Sequence, residues 1–574
     1  MLFKKTKKMN ATAGNSNVLE LEVKGMTCAS CATHVTEALR KVNGVVECQI
    51  PDWQAKKALV TVAGDVDVKK LTGSVQEAGY QAKVLDRNGG STEEAVTDNA
   101  PMGQNVDYDL VVIGTGGGGV AASIRAAESG HKVAIIEGGT IGGTCVNIGC
   151  VPSKALIRAA EAYHVAGHHP FAGLKTKAEG VDWPALIAKK DELVDELRQK
   201  KYVDVLKSYA GVTLVQSWAK LDANGDVVID GKVLKAGRVV VATGARPKVL
   251  PIDGIENVEV LNSTTAMDLK RQPESLIVLG GRAIALELGQ AFARLGTKVT
   301  ILQRSSRLVP EHEPEIGDAL ADYFREEGVQ VETGVTTESI RDEKGKKIIT
   351  AIVRGERREF QAEQVLMALG RIPNTKDLGL EAAGVQLDKS GFIVVDEHLQ
   401  TTNPKIYAAG DVTTLPKFVY VAAAAGGLAA GNALNGNSKK FDLTVLPDVV
   451  FTSPQIATVG LTEARARSEG FDVKTSMLPL TYVPRALAAR DTRGFVKLVA
   501  DRQSDRLLGA HVLAAEAGEV IQTAALAVKM GKEHGFTVEN LRGMLFPYLT
   551  QVEGIKLAAQ TFEKDVAQLS CCAG

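Results

Sequence analysis

The sequence predicts a multidomain chain of mixed α/β and α+β class, and three observations predict it. Its 574 residues exceed what one hydrophobic core supports, and at ~150 residues per domain about four units follow. Residues 18–86 alternate strand-like and helix-like patterns in the order β-α-β-β-α-β. Two glycine-rich strand-to-helix turns, after Ile113 and after Leu279, each open a βαβ unit.

Charge sets the first exclusions. Lys and Arg number 67 against 68 Asp and Glu, so no global field directs the protein to nucleic acid or an anionic membrane. Met1 to Lys8 is basic, but the polar run from Asn10 to Asn17 stands where a signal peptide needs an apolar core. The expectation is a disordered leader on a cytoplasmic protein. The apolar runs are far shorter than the ~20 residues that span a bilayer. Six of the seven cysteines form tight pairs, Cys28/Cys31, Cys145/Cys150 and Cys571/Cys572. Such spacing points to reactive or metal-binding thiols rather than to staples across loops. The seventh, Cys48, reads as a small core hydrophobe.

In residues 18–86, Leu19 to Val23 alternates as a strand should. Gly25-Met26-Thr27-Cys28-Ala29-Ser30-Cys31 then opens a helical stretch through Val35, Leu39 and Val42. Gly44-Val45-Val46, the strand-like Ala58 to Val62 and a second helical stretch, Val68 to Ala78, complete a small ferredoxin-like sandwich. Backbone N–H groups at the loop-to-helix junction favour thiolate at Cys28 and Cys31. Soft thiolates select soft ions such as Cu(I), Zn(II) or Hg(II). A thioredoxin-like redox pair or half a zinc site would need a context that this unit lacks. The Gly-Met-Thr-Cys-Ala-Ser-Cys segment resembles the heavy-metal-associated domain of copper chaperones and metal-transporting ATPases, and the resemblance implies that Cys28 and Cys31 are metal ligands. Residues 87–105, rich in Gly, Ser, Thr and acidic residues, read as a flexible linker. A domain tethered in this way acts through raised effective concentration.

Tyr108 to Ile113 reads as a buried strand. Gly114, Gly116 and Gly119 then satisfy GxGxxG before a helical stretch from Val120 to Glu128. A second strand, Val133 to Ile136, ends in Glu137, where a carboxylate would bind a ribose diol. Together these mark a Rossmann-like dinucleotide site. The second βαβ unit begins at Ser275 and carries Gly280, with Arg282 and Ala285 in place of the later glycines. Its following strand, Lys298 to Leu302, leads into Gln303-Arg304-Ser305-Ser306-Arg307. No carboxylate stands at the ribose position, and Arg304 and Arg307 suit a 2′-phosphate, which favours NADPH over NADH.

Directly after Glu137 comes a run through Gly139, Thr144 and Cys145 to Cys150 and Lys154. Two cysteines so spaced can lie one turn apart near a helix start, within the ~5.5 Å Cα separation of a disulfide. In a cytoplasmic protein a transient catalytic disulfide is favoured over a structural one. From Asp107 to about Gln560 the chain resembles the flavin disulfide reductases, the family of glutathione reductase and dihydrolipoamide dehydrogenase. The resemblance implies an FAD-binding part over residues 106–247, an NADPH-binding domain over 248–375, a second FAD part over 376–445, and a dimerisation domain over 446–574. It implies that Val241 to Pro247, with Thr243 and Gly244, is the crossover between nucleotide domains. It also implies that Asp411, in Ile406 to Val412, accepts a hydrogen bond from the flavin ribityl chain. Gly119, Gly139, Thr144, Lys154, Ala219 and Val419 would lie along the FAD, with Lys154 near the flavin N5 and Glu287 near the nicotinamide. Cys145 would be the interchange thiol and Cys150 the charge-transfer thiol.

Disulfide-reducing members carry a His-Pro-Thr-x-x-Glu segment near the C terminus, whose His is general acid and base. Here the stretch is Tyr548-Leu549-Thr550-Gln551-Val552-Glu553. A phenol of pKa ~10 does not shuttle protons near neutrality, which argues against glutathione, lipoamide or thioredoxin as substrate. Phe546 to Thr550, the terminal Ser570-Cys571-Cys572-Ala573-Gly574 and Tyr202 resemble the mercury-reducing branch of the family. That likeness implies a homodimer with shared active sites and Hg(II)–thiol complexes as substrate, with delivery from a membrane transporter. Hg(II) would pass from Cys28/Cys31 to the neighbouring subunit's Cys571/Cys572, and on to Cys145/Cys150. Two alternatives stand beside it. One is a large-type thioredoxin reductase-like enzyme with a Cys-Cys relay, against which Tyr548 and the metal domain count. The other is a metal chaperone or sensor with a vestigial flavoprotein core.

Overall fold

The computed structural model describes residues 16–26, 29–50, 57–63, 66–85 and 106–569. The chain divides into two compact units, Met1–Asp98 and Asn99–Gly574. The linker expected over residues 87–105 lies outside the described residues.

The first unit has the β-α-β-β-α-β order read from the sequence. Its sheet runs Val45–Gln49, Lys57–Ala63, Ser16–Lys24, Gln81–Leu85, with every neighbour antiparallel. Alternate residues Leu21, Val23, Ala58, Val60 and Val62 point to one face and are buried, as the period of two requires. Helices Ala29–Arg40 and Val68–Glu77 cover that face with Val35, Leu39, Leu71 and Val75. Asp67 starts the second helix by accepting a hydrogen bond from the Lys69 amide at 3.0 Å. Cys48 is 1% exposed within this core, and burial pushes its thiol pKa up.

The second unit contains two parallel sheets. The first, ordered Ile406–Ala408, Ala236–Val241, Tyr108–Ile113, Val133–Glu137, Val212–Gln216, is parallel throughout. The second is ordered Gln330–Thr333, Lys298–Gln303, Ser275–Leu279, Gln364–Met367. Their inner strands are near-continuous apolar runs because both faces of a parallel sheet are covered, whereas the edge strands Val212–Gln216 and Gln330–Thr333 are mixed. Leu110, Val111, Leu276, Ile277 and Val278 are fully buried accordingly. Between the sheets, Ala245–Pro247 pairs antiparallel with Arg371–Pro373. There Thr243 Oγ1 donates to the Asn374 carbonyl at 2.8 Å and Asn374 Nδ2 donates to the Thr243 carbonyl at 2.9 Å. The chain thus leaves the first sheet and returns to it at one clasp.

A five-stranded antiparallel sheet follows, ordered Asp448–Val450, Gln455–Gly460, Leu507–Ala514, Phe495–Asp501, Val473–Pro479. Helix Ala517–His534 lies on it through Ile521, Ala524 and Ala525. Lys497, 4% exposed on strand Phe495–Asp501, reaches the start of helix Pro314–Glu326. Its Nζ lies 2.9 Å from Glu313, 2.8 Å from Glu315 and 3.2 Å from Glu463. Those carboxylates outweigh the cost of burial and hold the ammonium pKa above its ordinary value. Nearby, Glu327 accepts from Arg294 at 2.6 Å and from Arg493 at 3.0 Å. Among the described residues, no helix is long and apolar enough to cross a membrane.

Candidate active site

The first sheet ends in a cavity of about 840 Å³, within the ~300–1,000 Å³ usual for cofactor sites. It is lined by Gly114, Gly116, Glu137, Gly139, Thr144, Ala219, Thr243 and Gly244, eight of the residues selected from the sequence. Two glycines show why the loop is built this way. Gly114 has φ of 105°, and a Cβ there would lie 2.4 Å from the Ala242 carbonyl oxygen. A Cβ on Gly119 would lie 1.9 Å from the Gly114 carbonyl oxygen, so Gly119 brings helix Gly117–Glu128 against the strand end and does not itself line the cavity. That helix begins three residues earlier than its apolar pattern suggests, and its first N–H groups have no intrahelical partner. Glu137 is fixed at the rim by the Thr115 amide at 3.1 Å, Thr115 Oγ1 at 2.6 Å and the Gly139 amide at 2.8 Å.

Asp411 lies in the one-turn helix Gly410–Val412, where burial pushes its carboxyl pKa up against the opposing charges of Arg371 and Lys417. Arg371 Nε stands 3.7 Å from Asp411 and is buried with no hydrogen-bond partner. A buried donor in this state accommodates a ligand acceptor. Val419 starts helix Val419–Asn435, and a Cβ on Gly117 would sit 3.1 Å from its Cγ2. The cavity, the helix start and this orphaned donor together fit FAD.

The two cysteines do not share one helix. Cys145 lies in Gly143–Ile148 and Cys150 opens Cys150–His168, with the break at Gly149. A Cβ at Gly149 would meet the Thr144 carbonyl oxygen at 2.9 Å, so the chain turns there on a residue without a side chain. The break still leaves the two thiols close enough for each to govern the other's ionisation. Cys150 is pulled down to about 7, first by the Cys145 hydrogen bond and then by the Lys154 charge, against the cost of burial. Cys145, the donor, is pushed up by the same bond and by burial. The pair therefore holds one thiolate at Cys150, at a helix N-terminus that favours it.

Tyr202 stands beside this pair. It sits in a π-helical turn, Gln199–Val203, that continues helix Trp183–Arg198. A Cβ on Gly142 would be 3.5 Å from the Tyr202 ring. Burial, then the charges of Cys145 and Cys150, push the phenol pKa up, so it remains a hydrogen-bond donor at neutral pH. Arg198 ties the turn to the cysteine loop by donating from Nε to Asn147 Oδ1 at 2.6 Å. π-turns of this kind concentrate at functional sites.

One turn beyond Cys150, Lys154 Nζ lies 2.6 Å from Glu287 Oε2 and 4.5 Å from the centroid of the Phe451 ring. Glu287 Oε1 accepts from the Phe451 amide at 2.9 Å. These three line a smaller cavity of about 110 Å³ with Gln290 and Arg294. On the second sheet, Gly280 has φ of 123°, and a Cβ there would lie 2.6 Å from the Ala368 carbonyl oxygen. The missing second and third glycines are accommodated: Arg282 stands at the N-cap position of helix Ala283–Arg294 without a side-chain capping bond, and Ala285 is buried. Arg304 is exposed and Arg307 half-buried. Neither forms an ion pair among the described residues, and Arg307 Nε is buried without a hydrogen-bond partner.

Tyr548 is 52% exposed, on a loop with Met544, Leu549 and the 96%-exposed Leu545. Cys31 is half-buried in helix Ala29–Arg40, whereas Cys28, Cys571 and Cys572 lie outside the described residues. Arg371 and Phe451 were missed in the sequence. Arg371 gave a faint signal, a cation following the apolar run Leu366-Met367-Ala368-Leu369-Gly370. Phe451 gave none, because its role depends on a contact with Lys154 almost 300 residues away in the chain.

Comparisons with known proteins agree with this architecture. Residues 108–426 match the pyridine nucleotide-disulphide oxidoreductase model, residues 446–559 the dimerisation domain of that group, and residues 20–81 the heavy-metal-associated domain. The chain belongs to the pyridine nucleotide-disulphide oxidoreductase family, and the dimerisation domain supports a homodimer. Its relatives include the mercuric reductase of Lysinibacillus sphaericus, 44% identical over 97% of this chain and 100% of that protein. The mercuric reductase of Streptomyces lividans is 48% identical over 81% of this chain and 98% of its own. Among solved structures, the HOCl-induced flavoprotein disulfide reductase RclA from Escherichia coli is 30% identical, with a TM-score of 0.70 over 79% of this chain and 99% of that one.

Proposed function

We propose that this protein is an FAD- and NADPH-dependent mercuric reductase that converts thiol-bound Hg(II) to elemental mercury. The observation that carries the reading is the likeness to mercuric reductases, which extends from end to end of the Lysinibacillus protein. The Cys145/Cys150 dithiol and the tyrosine at position 548 support it. Bound FAD would supply the two electrons, replenished by hydride from NADPH. Arg304 and Arg307 would hold the 2′-phosphate of NADPH, and Lys154 with Glu287 would order the region between nicotinamide and flavin.

Cys150, with a pKa of about 7, is a ready thiolate. Binding of Hg(II) by both sulfurs displaces the Cys145 proton, because a soft cation competes well for a thiol. The protonated phenol of Tyr202 supplies a donor and a π-face beside the metal without competing for it as a ligand. Cys28 and Cys31 would collect Hg(II), Cys571 and Cys572 of the partner subunit would pass it on, and Tyr548 of the partner subunit would complete the cleft. The domain limits and the linker over residues 87–105 given from the sequence belong to this reading, as does a cytoplasmic enzyme supplied by a membrane transporter. The test is NADPH oxidation by the yellow holoenzyme in excess small thiol. Oxidation that starts only when mercuric ion is added is expected. Equal oxidation without it, or none with it, overturns the proposal.

A further inference from the structure

Trp218 is the least buried large apolar residue along the FAD-sized cavity, 79% exposed, and it lines that cavity beside Glu137, Gly138 and Gly139. This exposure is not looseness. The Ser217 amide donates to the Glu137 carbonyl at 2.9 Å, and Gln216 Nε2 donates to the Glu137 and Gly139 carbonyls at 3.0 and 2.7 Å. Ser217 Oγ holds Asp230 at 3.1 Å. The loop carrying the indole is therefore tied to the end of the very strand that bears the ribose-site carboxylate. Gly138 is cut to fit the ring: a Cβ there would lie 2.5 Å from Trp218 Cδ2 and 2.6 Å from Cε3. The contrast with Trp183 is instructive. That residue is 4% exposed, donates to the Leu269 carbonyl at 2.8 Å and stacks on Phe292.

Holding an indole in water at the rim of a cavity forgoes the hydrophobic gain that normally buries tryptophan. A planar ligand group placed against it recovers that gain. Glu137 marks the ribose position, and Trp218 stands next to it, its ring against Gly138, the residue that follows that carboxylate in the chain. We infer that Trp218 is an adenine-stacking lid that retains the adenosine end of FAD, an inference that rests on the flavoenzyme reading above. It is a cofactor-positioning residue and takes no part in the redox chemistry. Base–aromatic stacking of ~1–3 kcal/mol corresponds to a change in Kd of about fivefold to 150-fold.

The test uses the full-length protein stripped of flavin, titrated separately with FAD, ADP and FMN, in wild type, Trp218→Phe and Trp218→Ala. Kd is measured by equilibrium dialysis, and indole emission is followed in parallel. Trp218→Ala should weaken FAD and ADP about tenfold and leave FMN unchanged, while Trp218→Phe stays within about threefold of wild type. ADP should quench an emission component present in wild type and missing from Trp218→Phe. Unchanged ADP affinity in Trp218→Ala, or equal weakening of FMN and ADP, overturns the stacking role. A wild-type protein that binds neither FAD nor ADP would instead strike down the flavin reading on which this one stands, and the two failures are therefore distinguishable.

Discussion

Replacing Cys145 by Ala tests how the reactive thiolate is made. In the wild type Cys150 is held at about 7, with the Cys145 hydrogen bond as the largest cause and Lys154 as a smaller one. A hydrogen bond to a charged acceptor is worth ~1.5–3 kcal/mol, and each pH unit corresponds to about 1.4 kcal/mol. The lower end of that range corresponds to about one pH unit, the smallest shift expected. The lowered pKa means that thiolate is populated above about pH 7 in the wild type. In Cys145→Ala the same population should need about pH 8. The readout is the long-wavelength charge-transfer absorbance of thiolate against flavin, titrated from pH 5 to 10 in the two-electron-reduced wild type and the oxidised variant. A midpoint that stays near the wild-type value would refute the reasoning and leave Lys154 and the helix N-terminus as sufficient causes.

Loss of one guanidinium–phosphate contact in Arg304→Ala should raise KM for NADPH about tenfold to a hundredfold and leave NADH nearly untouched; equal loss with both nucleotides contradicts the assignment. Tyr548→His should not yield efficient turnover of glutathione disulfide, since the rest of the cleft is unaltered, and steady-state assays with that substrate check it. Ala at both Cys571 and Cys572 should nearly abolish single-turnover reduction of Hg(II) presented on bulky thiols but spare much of the rate with bromide as ligand. Equal impairment with both ligands would make the tail part of the catalytic site itself. Deleting the residues before Asp107 should cost less in vitro than either change, if that segment acts through effective concentration alone, as proposed.

What the sequence disclosed, it disclosed where a local rule leaves no alternative. Gly114 and Gly119 were identifiable because only a residue without Cβ passes so close to a carbonyl, and the strands Tyr108–Ile113, Val133–Glu137 and Ser275–Leu279 because they are continuous apolar runs beside turn signals; the edge strands Val212–Gln216 and Gln330–Thr333 are mixed in polarity and gave no such signal. The first unit was legible for a similar reason, its period of two changing to a helical period and back. The break at Gly149 was not foreseen, since the spacing of Cys145 and Cys150 suits a single helix as well as two. Nor was the π-turn around Tyr202, which carries no periodic signature of its own over five residues. Lys497 escaped notice because its partners Glu313 and Glu315 lie more than 180 residues earlier in the chain, and no local pattern reports such a meeting.

That meeting has a mechanical consequence. To separate strand Phe495–Asp501 from helix Pro314–Glu326, water would have to reach one ammonium and its carboxylates at the same moment, and breaking a buried pair of this type costs ~3–5 kcal/mol. The seam between the second parallel sheet and the antiparallel sheet is thus a weld and not a hinge. Breathing of the molecule that admits a nucleotide or releases a product must be sought at the two-stranded clasp of Ala245–Pro247 and Arg371–Pro373, where the chain crosses between the parallel sheets on three paired residues a side.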